Sequence, residues 1–191
     1  MKQTKEKADV LVKSGAPVLL EIGSGAKYGK NGWVCLDRHS CDLVWDLQNG
    51  IPFPDNSVQK IYSSHTFEHF SFQEAKVVLQ ECRRALAPGG LFLICVPNAR
   101  LYIEAYLNNP DDNFIHSLPD YHKPGYNGTT RMDLVNYVAY MGGEHKYMFD
   151  QENLLHILTM NGFKNVRQRE FDPGIDMQQR HFESLYAQGE K

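Results

Sequence analysis

Val18-Leu-Leu-Glu-Ile-Gly-Ser-Gly25 decides the fold of this chain. An apolar run ends in an acid and then in two glycines, Gly23 and Gly25. Apolar residues without polar alternation suit a strand buried on both faces of a parallel sheet. The glycines let the backbone turn sharply and let a ligand approach where a Cβ would obstruct it. Ligands of open α/β sheets bind at that edge, outside the carboxyl ends of the strands. Gly-x-Gly occurs in many turns, so its weight comes from the segments that follow it.

Trp33-Val-Cys-Leu-Asp37 is a second short apolar strand ending in an acid, and a carboxylate there can accept both hydroxyls of a ribose. Leu43-Val-Trp-Asp46-Leu47 is a third segment ending in an acid. Next come the turn-rich Ile51-Pro-Phe-Pro-Asp-Asn-Ser57, a strand over 58–63, a helix, Pro88-Gly89-Gly90 and the strand Leu91-Phe-Leu-Ile-Cys-Val96. In this order, the glycine turn, the two acids, Pro-Phe-Pro-Asp and Pro-Gly-Gly resemble the class I S-adenosylmethionine (SAM)-dependent methyltransferases. The resemblance covers the first half of the chain and its last third. It implies a Rossmann-like α/β fold, doubly wound, mainly parallel, with an antiparallel last strand. It also implies SAM as cofactor. Asp37 would hold the ribose hydroxyls and Asp46 would accept from the adenine amino group, with the Leu47 amide donating to the ring. Glu21 would order the loop of Gly23 and Gly25 or meet the ammonium group of SAM. Ser63-Ser-His-Thr-Phe-Glu-His69 resembles the family segment beside the reacting end of SAM, which assigns Ser64 and His65 to the cofactor.

Bulk properties bound the function. A chain of 191 residues is expected to form one domain, 1–191, and can bury about 70% of its unfolded surface without a metal or disulfide. The formal net charge of -3 and the scattered lysines and arginines argue against a phosphate-tracking groove, so no nucleic-acid partner is expected. The longest apolar run is too short to span a bilayer, and the first residues lack the apolar core of a signal peptide. Cys35, Cys41, Cys82 and Cys95 form no Cys-x-x-Cys pair and read as buried free thiols, which suits a reduced, cytoplasmic protein.

Between Gly25 and Asp37 there is too little chain for a full crossover helix plus a strand. The helix after the glycine turn is therefore expected to be very short or replaced by a loop. That loss, and the spacing of Gly29 from Gly25, count against a nicotinamide dinucleotide, which needs a helix N-terminus under its pyrophosphate. A leading helix is expected over 2–14. Ser71-Phe-Gln-Glu74 reads as a capping box, and Pro88-Gly89-Gly90 as the stop of the helix it opens. Asp150 reads as the N-cap of a helix stapled by Phe149 and Leu154 and ended by Asn161-Gly162. Strands are expected over 166–171 and 184–188. The tyrosine- and proline-rich stretch 99–147, with helices over 101–107 and, after a Thr130 cap, 131–141, falls where the family inserts its substrate cover.

His65-Thr-Phe-Glu68-His69 matches the spacing of a zinc motif that requires a helix. Here it follows a strand and precedes a helix cap, so no metal is expected on it. Glu68 and His69 read instead as braces of the following helix. His65 and His145 are the candidate catalytic bases, each set against a purely structural histidine. His116, Asp120 and His122 lie in the cover, and none stands out singly. Methyl transfer needs alignment and exclusion of water, and a base only when the nucleophile holds a proton. No Asn/Asp-Pro-Pro-aromatic motif follows the fourth strand, nor a Pro-Cys pair for attack on cytosine. The expected acceptor is a small molecule or a sugar of a glycan, methylated on O or N. The alternatives are a non-catalytic SAM-binding regulatory or structural protein, and a nucleotide-sugar or nicotinamide enzyme.

Overall fold

The computed structural model describes residues 2–108 and 130–191. Seven strands form one sheet in the order β3-β2-β1-β4-β5-β7-β6, where β1 is Leu19–Ile22, β2 Trp33–Asp37, β3 Leu43–Val44, β4 Val58–Ser64, β5 Leu86–Pro97, β6 Lys164–Gln168 and β7 Ser184–Glu190. The first five pair in parallel, while β7 runs antiparallel to both β5 and β6. Strand order reverses between β1 and β4, which opens a crevice at their carboxyl ends.

The apolar runs do what their composition dictates. Leu20, Ile22, Leu36, Ile61, Phe92, Ile94 and Val96 lie in one core with Val78, Leu79 and Cys82 of α2, Phe72–Ala85. The capping box on α2 forms: Ser71 Oγ accepts from the Glu74 amide and the Glu74 carboxylate from the Ser71 amide. Asp150 caps the helix Gln151–Met160 by accepting from the Asn153 amide. All four cysteines are buried and free. No helix among the described residues is long and apolar enough to cross a membrane.

Three expectations change. Pro88-Gly89-Gly90 does not end α2, which stops at Ala85. It lies inside β5, whose pairing with β4 shifts register between Val58 and Lys60. An irregular strand start, rather than a helix stop, is thus the use of Gly89, at φ 73°. Thr130 does not cap the helix Met132–Tyr140. Its amide and hydroxyl both donate to Asp133, reversing the expected polarity. Strand β6 begins and ends earlier than the apolar pattern suggested, because only Val166 in it is half buried.

The helices Ala99–Asn108, here α3, and Met132–Tyr140, here α4, form a small separate core of Ala99, Tyr102, Leu134, Tyr137 and Val138. The middle of the expected cover, with His116, Asp120 and His122, lies outside the described residues. On the opposite side of the crevice, the chain between β6 and β7 is held by a buried ion pair. Arg169 meets both oxygens of Asp176 at 2.6 and 2.7 Å, and Tyr62 of β4 donates to the same carboxylate at 2.9 Å. The side chains are 8% and 0% exposed, so removing one partner strands a charge. Arg169→Met should destabilise the protein by about 3–5 kcal/mol. A lower urea midpoint with an unchanged denaturant slope checks this.

Candidate active site

The crevice is a cavity of 590 Å³ at the carboxyl ends of β1, β2 and β4. That size suits a small molecule or cofactor. Every residue assigned to the cofactor lines it: Glu21, Gly23, Gly25, Asp37, Asp46, Leu47, Ser64 and His65.

Gly23 turns the chain at φ 65°, and a Cβ built on it would lie 2.2 Å from Thr66 Oγ1. Thr66 Oγ1 donates to the Gly23 carbonyl at 3.2 Å, locking the end of β1 to the end of β4. Gly25 also has positive φ, 71°, but its Cβ direction is open, toward the space a ligand needs. No helix follows. The loop is instead organised by acids: Asp37 accepts from the Gly25 amide at 2.8 Å, and Asp42 accepts from the Gly29 and Cys35 amides at 2.8 and 2.9 Å.

The second oxygen of Asp37 accepts from the His39 amide at 2.9 Å. Each carboxylate oxygen has two lone pairs, so Asp37 keeps acceptor capacity toward the cavity. Asp46 caps the short turn Leu47–Asn49 through one oxygen, accepting from the Gln48 amide. Glu21 pairs with Lys27 at 2.7 Å.

The histidines divide. His65 lines the cavity in a left-handed conformation, φ 48°, with Nε2 2.8 Å from Ser184 Oγ and Nδ1 3.7 Å from Glu68. A left-handed residue cannot sit in a helix, which is why the zinc-type motif does not form as a helical pair. His145 does not line the cavity. It is buried behind His69, with ring centroids 5.1 Å apart, and its Nδ1 lies 2.9 Å from the Val138 carbonyl. Burial pushes the His145 imidazole below its ordinary pKa and the fully buried Glu68 carboxyl up to about 8. Glu68 and His69 do not brace α2. The Glu68 carbonyl accepts from the Lys146 amide at 2.7 Å, and the His69 ring meets the Glu144 carbonyl at 3.0 Å. They tie the crevice to the segment before the helix Gln151–Met160.

Sequence reasoning missed Thr66, His69, Lys146 and the wall formed by Ile175, Met177 and Arg180. The signal for Thr66 was its place one residue after His65, opposite a glycine. The other wall had none, because it lies in an irregular stretch between β6 and the turn Gln178–Glu183.

Residues 31–94 match a family model described as a methyltransferase domain. A search of the curated proteins finds no match. Among solved structures, a SAM-dependent methyltransferase from Archaeoglobus fulgidus is 15% identical at a TM-score of 0.54, covering 100% of this chain and 94% of its own. Phosphoethanolamine N-methyltransferase 2 of Haemonchus contortus, in complex with SAM, is 13% identical at 0.56, covering 97% and 52%. PigF, with S-adenosylhomocysteine (SAH), is 17% identical at 0.52, covering 95% and 53%. The chain thus spans about half the length of the last two.

Two tests follow from the loop. Gly25→Ala should cost about 1–2 kcal/mol from its positive φ alone. Gly23→Ala should cost distinctly more, since Thr66 must also move. Calorimetric melting of both variants ranks them. Asp37→Ala should weaken SAM binding by about 1–3 kcal/mol, leaving ribose hydroxyls without their acceptor. Titration calorimetry measures it, and unchanged affinity would reduce Asp37 to an organiser of the loop. The strand order, the crevice at its reversal and the matched segment together make this a class I SAM-dependent methyltransferase fold.

Proposed function

We propose that the chain transfers a methyl group from SAM to a small-molecule or sugar acceptor, on oxygen or nitrogen. The observation that carries this reading is the convergence of Glu21, Gly23, Gly25, Asp37, Asp46, Leu47, Ser64 and His65 on one cavity. Elements remote in sequence supply them, and chance has no reason to gather them at the switch point.

In this reading Asp37 holds the ribose, and Asp46 with the Leu47 amide holds the adenine. Glu21, close to the glycine turn, faces the methionine part. The acceptor's lone pair attacks the sulfonium methyl carbon, the carbon–sulfur bond breaks, and SAH leaves as a neutral thioether. A hydroxyl or ammonium acceptor must also lose a proton, and His65, on the cavity wall, takes it. His145 reaches the cavity only by way of His69. The segment 99–147 sets acceptor choice. A small acceptor agrees with the formal net charge of -3 and with the Haemonchus contortus relative, which is named for phosphoethanolamine.

A thermal-shift screen tests the cofactor. At a hundredfold excess over Kd, SAM or SAH should add about 2.7 kcal/mol, or roughly 5–10 °C in Tm for a chain of this size. NAD and ATP should leave Tm unchanged, and an equal shift with NAD would overturn the reading. SAH release with a panel of small acceptors separates a transferase from a SAM-binding protein without catalysis.

A further inference from the structure

Glu68, His69 and His145 meet beside the cavity, and one ligand atom from each lies within 4.8 Å of the others. Three features of this trio ask for a cation.

The first is the tautomer of each ring. His69 Nδ1 lies 3.0 Å from the Glu144 carbonyl, and His145 Nδ1 lies 2.9 Å from the Val138 carbonyl. A carbonyl can only accept, so each Nδ1 carries a proton. In the neutral rings the lone pair is then on Nε2. Backbone carbonyls fix metal-binding histidines in this way.

The second is Glu68. Its side chain is 3% exposed, its Oε2 has no hydrogen-bond partner among the described residues, and its Oε1 lies 3.9 Å from His69 Nε2. A buried carboxylate oxygen without a donor is costly. Two imidazole lone pairs thus face the buried Glu68 carboxyl, whose Oε1 also lies 3.7 Å from His65 Nδ1, and the cluster holds either a proton or a cation between them. A shared cation satisfies both imidazole lone pairs at once, which a single proton on Glu68 does not. The third is access: His69 belongs to the wall of the crevice, so an ion held here has a path from solvent.

We propose that Glu68, His69 and His145 bind one divalent transition-metal ion. Two imidazoles and one carboxylate suit Zn²⁺, whose three-ligand sites keep a further position open. Zinc ligands bound at about 2.0–2.2 Å stand roughly 3.3–3.5 Å apart, so the trio contracts by roughly 1 Å on binding. The open position faces the crevice, next to His69. There the ion polarises an oxygen of the acceptor, a role that rests on the methyl-transfer reading above. This departs from the sequence-based expectation of no metal. The zinc-type motif that the sequence offered included His65, whereas the spatial trio replaces it with His145.

The test separates the two readings. Protein stripped by a chelator is titrated with ZnSO₄ by calorimetry, and Co²⁺ is added separately to follow its visible ligand-field bands. One ion per chain is expected. His69→Ala and His145→Ala should each weaken binding by at least about tenfold, a loss seen even when outer partners of a metal ligand are removed. His65→Ala should keep the stoichiometry. His69 is the safer variant for folding, since its ring is 35% exposed. A cooperative melting transition, independent of SAM, certifies each variant as folded. Folded protein that binds no Zn²⁺, or binds it equally in the His69 and His145 variants, overturns the site. The trio would then share a proton instead. Loss in His65→Ala but not in His145→Ala overturns this choice of ligands. Zn²⁺ binding by a protein that ignores SAM keeps the site and removes the methyl-transfer reading.

Discussion

The contact between Gly23 and Thr66 is the constraint on which the crevice depends. Parallel strands pair by their backbones, but nothing in that pairing fixes where the chain goes after the last ladder bond. Here β1 leaves through a left-handed glycine, and Thr66 fills the space where its Cβ would be. The same threonine accepts the role of a clasp, donating to the carbonyls of Gly23 and Ser64. Two loops on either side of the switch point are therefore held in close contact at this pair. The cavity between them inherits that precision, and the residues that line it inherit their positions.

Two further ties fix the other walls. On one side, Arg169, Asp176 and Tyr62 join the irregular chain before β7 to the face of β4. A bidentate ion pair with little exposure has few alternative geometries, so it specifies position as well as contributing energy. On the other side, the Glu68 carbonyl accepts from the Lys146 and Tyr147 amides, the His69 ring meets the Glu144 carbonyl, and the Lys146 ammonium reaches Glu74 of the capping box at 3.3 Å. The capping box thus does two things: it starts α2, and its Glu74 meets Lys146.

The parts of this fold legible in the sequence were those specified locally. A run such as Val18 to Ile22 is apolar because both faces of β1 are covered, and the glycines after it answer a backbone need within two residues. Ser71 and Asp150 cap because their own side chains reach the next turn. The failures share a different cause. Gly89 and Gly90 serve pairing between β4 and β5, which no local pattern contains. Thr130 looked like a cap until Asp133 competed for it. His145 lies far along the chain from Glu68 and His69, so their meeting exists only once the sheet has folded.

The loop after Gly25 is organised by acids rather than by a helix. In a dinucleotide site, free amides at a helix N-terminus meet a pyrophosphate. In this chain no helix follows the turn, and several of its amides are held by carboxylates. The Gly25 amide donates to Asp37, and the Gly29 and Cys35 amides donate to Asp42. Carboxylates have moved in where phosphate oxygens would lie. A pyrophosphate brought to this loop would meet the carboxylates of Asp37 and Asp42 where a helix N-terminus would otherwise receive it. A ligand with hydroxyls for Asp37 and a cationic sulfonium or ammonium beside the loop meets the opposite situation. Shortening the first crossover therefore does more than save residues: it replaces a helix N-terminus at the glycine turn with amides held by acids.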